Sequence, residues 1–222
     1  MFRRLRSCFL LAALVSVGPV MAAAQTFGLD SDAAARVARA PADWVRQAQA
    51  LERRGDWAAL LAWGREWAAA DATNPLAWFV QGRALGELGR LDEAIAAYRQ
   101  NLRLVPGDVW ARNNLGNAYR DHGRPRDAMQ AYRAAVETDP DYFPAWHNLG
   151  LTFYRLKGQA GVVEALQRLH AVDPKLAEAW RVLAVAYSLT GDARLADEAA
   201  RVLRGLNAAE RSRMLAILFA EG

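Results

Sequence analysis

The tryptophans Trp44, Trp78, Trp146 and Trp180 fall at one phase of a 34-residue period, with Arg112 at the single beat where the indole is missing. A fixed period of that length marks a repeat array, in which no unit buries its apolar face alone. Starting the units at 41, 75, 109, 143 and 177 aligns every column without an insertion. The eighth column reads Ala48, Gly82, Gly116, Gly150, Ala184 and the eleventh Leu51, Leu85, Tyr119, Phe153, Tyr187. The fifteenth reads Gly55, Gly89, Gly123, Lys157, Gly191 and the twentieth Leu60, Ala94, Ala128, Val162, Ala196. No strand-like alternation of apolar and polar residues competes with this pattern.

The columns have a physical reading. A mid-helix glycine costs about 1 kcal/mol against alanine, so Gly82, Gly116 and Gly150 at one phase imply a contact that no side chain fits. Ala94 and Ala128 supply the matching flat spot on a second helix, and Tyr119, Phe153 and Tyr187 fill the gap to the next hairpin. The glycines of the fifteenth column suit the left-handed residue that ends a helix. Asp56 and Asp192 follow two of them as N-caps. Pro125 suits a first helical turn, and Pro106, Pro140 and Pro174 stop the second helices. Unit four lacks the turn glycine, with Lys157 in its place, and unit one has Gly64 where units two and three have Tyr98 and Tyr132.

These columns resemble the tetratricopeptide repeat, a helix–turn–helix unit. Trp146-His147-Asn148-Leu149-Gly150 followed by Phe153 carries the first-helix signature. Ala94, Tyr98 and Pro106, and again Ala128, Tyr132 and Pro140, carry that of the second helix. The resemblance implies an all-α fold, a right-handed α-solenoid of about five tandem units at 41–74, 75–108, 109–142, 143–176 and 177–206. The exposed end of such an array needs a cover. Residues 207–222 supply it as a C-terminal capping helix opened by Asn207-Ala208-Ala209-Glu210, with a partner-docking helix as the alternative.

Residues 1–24 read as a secretory signal peptide: Arg3, Arg4 and Arg6, a short apolar run from Phe9 to Val17, a break at Pro19, and small residues Ala22-Ala23-Ala24 before a cut that leaves Gln25 first. The run is shorter than the roughly 20 residues that span a bilayer; an uncleaved anchor is the alternative. Residues 25–40 form a linker with a short helix. Removing three of the 28 basic residues leaves 25 against 24 acidic ones, a net of +1. The pI near 9.6 therefore belongs mostly to the leader, and the basic excess that nucleic acid or an anionic membrane demands disappears. The single cysteine, Cys8, leaves with the leader. An Ala- and Arg-rich composition points to a GC-rich bacterium, which makes the periplasm the expected compartment.

Catalytic chemistry is missing from the inventory. His122, His147 and His170 fall at different unit positions, no histidine or cysteine spacing suits a metal, and no glycine-rich phosphate loop follows a strand. The expectation is no enzyme, no cofactor and no metal.

The resemblance also implies where a ligand lies, because first helices of successive units line a concave groove. Carried over position by position, unit one offers Arg46, Gln49, Glu52 and Arg53, and unit two Phe79, Arg83 and Glu87. Unit three offers Trp110, Asn113, Asn114, Asn117, Arg120 and Asp121. Unit four offers His147, Asn148, Tyr154 and Arg155, and unit five Glu178 and Arg181. Asn117 and Asn148 match the asparagines with which some members grip a peptide carboxylate, but Asn113, Glu178 and Val182 stand where basic partners belong. Arg83, Arg120, Arg155 and Arg181 form a sparse basic row, read either as a site for an acidic peptide or glycan or as a solvated face paired with Glu87, Asp121 and Glu178.

The expected function is a non-catalytic periplasmic scaffold that binds a protein segment in this groove during assembly of a cell-envelope complex. Exported bacterial members help to assemble pili, cytochrome-maturation systems and cell-wall complexes, and the residues do not choose among them. The alternatives are a cell-wall polymer or glycan binder using Trp110, Tyr154 and the arginines of the row, and a self-associating oligomer whose groove holds its own C-terminal helix.

Overall fold

The structure is a computed structural model that describes residues 42–188 and 201–220. The leader 1–24, the linker 25–40, and Gly191, Asp192 and Ala196 of unit five lie outside the described residues. Among those described, all regular structure is helical: α1 (Ala42–Arg54), α2 (Trp57–Ala70), α3 (Pro75–Glu87), α4 (Leu91–Leu104), α5 (Val109–Asp121), α6 (Pro125–Thr138), α7 (Phe143–Val172), α8 (Pro174–Ser188) and α9 (Ala208–Leu218). The fold class is that of an all-α solenoid, a tandem run of helical hairpins. The chain divides into two compact units, Met1–His122 and Gly123–Gly222. No helix among the described residues is long and apolar enough to cross a membrane.

Local chemistry sets the helix ends. Asp56 accepts from the Ala59 amide at 3.1 Å, Asn74 from Leu76 at 3.1 Å and Asp108 from Ala111 at 2.9 Å, so each cap satisfies a donor that the first turn leaves over. Pro75 and Pro125 open α3 and α6, where a missing N–H costs nothing. At the hairpin turns Gly55 and Gly89 take φ of +69° and +74°. The amides of Asp56 and Arg90 then reach back to the carbonyls of Leu51 and Leu85 at 3.1 and 2.9 Å, the bonding of a Schellman turn.

Unit four differs from the sequence reading here. Lys157 does replace the column glycine, but the left-handed residue moves one place along. Gly158 has φ +65° and ψ −172° inside α7, which is therefore two helical arms across a sharp break. The turn glycine is displaced, not absent.

In the first unit α2 packs on α1, α3 on α2, α4 on α3 and α5 on α4. A Cβ on Gly82 would meet the Tyr98 ring at 2.7–2.8 Å, which is why the eighth column stays small against a ring that is 3% exposed. Gly64 makes a different contact from the tyrosines in its column: its carbonyl accepts from the Gln81 side chain at 3.0 Å, so α2 lies directly on α3. Trp63 packs on Trp44 with ring centroids 4.6 Å apart and donates its indole N–H to the Trp44 carbonyl at 3.1 Å.

In the second unit α7 packs on α6 and α8 on α7. Phe153 meets Trp180 edge-on at 5.1 Å, filling the space between hairpins. Asn207 and Glu210 form a full capping box for α9. That helix lies on α7 and α8 and buries Met214, Leu215 and Leu218, each worth roughly 1.5–3 kcal/mol. It also reaches back along the chain: Arg211 pairs with Asp141 at 3.1 Å, and the Arg133 guanidinium sits 4.9 Å from the Phe219 ring.

The tryptophan phase has a hydrogen-bonding reason. Trp78 donates its indole N–H to the Ala72 carbonyl at 2.8 Å, and Trp146 to that of Pro140 at 3.0 Å. Arg112, at the missing beat, donates to the Pro106 carbonyl, again six residues upstream. The guanidinium thus replaces the indole as the donor that ties each first helix to the loop before it. Trp180 breaks the series. Its helix begins at Pro174, six residues ahead, whereas α3, α5 and α7 begin three residues ahead of the equivalent position. The carbonyl that an indole would use is drawn into the helix, and the buried Trp180 N–H has no acceptor.

Candidate functional site

The face of interest in the first unit is formed by α1, α3 and α5. On α3 the Arg83 guanidinium reaches Glu52 of α1 at 2.5 Å through one nitrogen and 3.2 Å through Nε. Their side chains are only 11% and 7% exposed, and the Trp57 ring lies 5.9 Å from the guanidinium carbon. Burial opposes the arginine charge, but Tyr98 and Glu52, with Glu87 beyond, outweigh it and hold the guanidinium above its ordinary value. The sequence reading offered Glu87 as the partner; the partner is Glu52, in the preceding repeat. A charge-assisted, doubly bonded pair at this burial locks the two helices together.

On α5 the polar side chains form a directed string. Arg120 pairs with Asp121 at 2.9 Å and donates to the Asn117 carbonyl oxygen at 3.1 Å. Asn117 points its amide nitrogen at the Asn114 oxygen at 3.4 Å. The string ends in the Asn114 Nδ2 group, which is buried and has no acceptor. Asn113 and Asn114 are buried, and Trp110 and Asn117 half-buried. Just before α5, burial pushes the Asp108 carboxyl up to about 6, while bonds from Ala111, Asn101 and Trp110 and the nearby Arg112 pull it down.

The remaining expected residues belong to the second unit. Asn148 is buried, His147 and Tyr154 half-buried, and Arg155 and Arg181 exposed. Arg181 pairs with Glu178 at 2.5 Å, both about half exposed, an arrangement worth little in stability. Asn117 and Asn148, the two that resemble a carboxylate grip, thus divide between the first unit and the second. Among the described residues no cluster of His, Cys, Asp or Glu is arranged to hold a metal.

Sequence reasoning missed the role of Glu52 because a partner 31 residues away leaves no local spacing signal. It placed Asn113, Asn114 and Asn148 on the concave groove without indicating their burial: all three are less than a tenth exposed. Polar side chains on inward phases of an otherwise apolar helix were the available sign.

A tandem array of helical hairpins with a small-residue seam and an amide-lined face defines a helical-repeat protein. The family model described as Tetratricopeptide repeat matches residues 68–109, 79–143 and 113–158 of the chain. No curated protein matches it in sequence. Solved structures similar to it include the MamA RS-1 ArsTM double mutant, at 22% identity and TM-score 0.49, covering 77% of this chain and 94% of that one. Another is YrrB, described as a TPR protein with an unusual peptide-binding site, at 18% identity and TM-score 0.49, covering 87% and 97%.

Proposed function

We propose that this protein is a non-catalytic scaffold that holds a segment of a partner protein on the first-helix face, and that it works in the periplasm during assembly of a cell-envelope complex. One observation carries the binding reading: the polar string on α5 that ends in the unpaired Asn114 donor. A buried amide without an acceptor costs about 1–3 kcal/mol. That donor lies out of solvent, so the string meets extended backbone through the half-buried Asn117 side chain, whose position Asn114 and Arg120 fix. Tetratricopeptide repeats are interaction modules, and this supports a scaffold in preference to an enzyme. Export rests on the leader-like sequence of residues 1–24.

The test is co-purification from the envelope fraction of the host, with Asn114, Asn117 and Arg120 together replaced by alanine, a substitution that helices tolerate. The wild-type protein should retain a partner that the triple variant loses. Retention of the same partner by the triple variant overturns the assignment of this face. Recovery of the protein only in the cytoplasm overturns the compartment.

A further inference from the structure

Helix α1 turns charge of a single sign toward solvent. Its exposed residues over 44–54 are Arg46, Gln47, Arg53 and Arg54. The acid within that span, Glu52, is drawn inward: Arg83 of the next repeat holds it at 2.5 Å, and its side chain is 7% exposed. The buried pair thus takes from α1 the carboxylate that would offset its arginines. Asp56, just past the turn, uses a carboxylate oxygen on the Ala59 amide. Among the described residues of the first unit, ion pairs engage Arg65, Arg83, Arg90 and Arg120, and not Arg53 or Arg54. The helix dipole accounts for cations in the last turn, where Arg53 and Arg54 stand, but its reach ends there and Arg46 lies about two turns earlier. Arg46 and Arg53 fall almost in line on the helix surface, about 10 Å apart along the axis. Resting on the peptide-binding reading above, we infer that the partner segment is acidic, with at least two carboxylate side chains that meet Arg46 and Arg53 at the α1 end of the face. In an extended segment, acids two to four positions apart span about 7–13 Å, which brackets that spacing. A membrane surface fits less well. The exposed large apolar side chains among the described residues are Leu88, Leu156, Val163 and Val172, none of them on α1, so this helix has nothing to bury among lipids.

The experiment is selection of short random linear peptides displayed on phage against the immobilised protein. Affinities are then measured on synthetic copies with blocked termini, so that only side chains supply charge. The expected peptides carry Asp or Glu at two positions or more. Their Kd should weaken by about fivefold or more between about 0.1 M and about 1 M NaCl, as the screening length falls from about 10 Å to about 3 Å. Arg46→Gln combined with Arg53→Gln should weaken the same peptides by about fivefold or more. Glutamine is nearly as good a helix former as arginine, so the unfolding midpoint should stay. Arg103→Gln, at an exposed position of α4, should leave the Kd unchanged. Arg46→Glu combined with Arg53→Glu should turn selection toward peptides bearing Lys and Arg; if that protein does not fold, the glutamine variant decides alone. Three results overturn the acidic-segment inference and leave the peptide-binding reading standing: neutral peptides selected by the wild type, acidic peptides whose Kd the glutamine variant does not change, or unchanged selection by a folded glutamate variant. Binding to vesicles of phosphatidylcholine and phosphatidylglycerol that the glutamine variant loses, with no acidic peptide selected, assigns the stripe to a membrane and overturns the inference as well. Recovery of no peptide from any protein overturns both readings.

Discussion

Arg83 and Glu52, 31 residues apart in the chain, meet at 2.5 Å and join the first helices of the first two repeats across the face where a ligand is expected. A buried pair of this kind is costly to halve. Glu52→Ala should destabilise the protein by about 3–5 kcal/mol, because it strands the guanidinium in a site built for a pair. Glu178→Ala, which removes the exposed partner of Arg181, should leave the unfolding midpoint unchanged within error. Urea unfolding of the two variants makes the comparison.

The indole ladder gives a second expectation. Trp146 and Trp180 are each 1% exposed, so replacement by phenylalanine removes similar buried volume. Only Trp146 loses a hydrogen bond in the exchange, and its Pro140 partner is left unpaired. Trp146→Phe should cost about 1–2 kcal/mol more than Trp180→Phe. Equal midpoints contradict the role given to the loop carbonyls.

The small seam supplies a third. Gly82→Ala brings a methyl group within 2.8 Å of the Tyr98 ring, and the resulting overpacking should cost about 1–3 kcal/mol. Gly86→Ala meets nothing within 4 Å at a left-handed-free helical position and should be neutral or slightly stabilising. Thermal melts of both variants decide it.

Asp108 predicts a pH dependence with a definite sign. Its carboxyl is pushed from 3.8 up to about 6 in the folded chain, so the folded state binds the proton more tightly than the unfolded one. Its contribution therefore favours folding at low pH. It declines as pH rises from about 4 to about 6 and is gone above that, a change of at most roughly 3 kcal/mol at about 1.4 kcal/mol per unit. Asn74 caps the equivalent helix start one repeat earlier, which makes Asp108→Asn a conservative test. The variant should keep the fold and lose that decline between pH 4 and 6 in denaturant titrations.

Periodicity made much of the fold legible, because a 34-residue phase reports which residues face inward whatever their partners are. The capping roles of Asp56 and Asn207 were readable because a cap acts within three residues. Three features were not. Gly158 took over the turn one place late, since a column alignment assumes that the break stays in register. The early start of α8 at Pro174 hid behind a proline that elsewhere stops the preceding helix. The candidate site was least legible: which carboxylate holds Arg83, and which asparagines are buried, depend on packing between repeats. The contacts of Arg133, which bonds Glu137 at 2.8 Å and lies 4.9 Å from the Phe219 ring, depend on the same kind of packing.

The central claim is that a protein segment lies on the first-helix face, and photo-crosslinking in the living host tests it most directly. A benzophenone amino acid placed at Asn117, half-buried on α5, should yield a protein adduct in the envelope fraction. The same probe at Arg103, exposed on the second helix α4, should yield none. An adduct at Arg103 with none at Asn117 would place the interface on the opposite side of the hairpins and contradict the account.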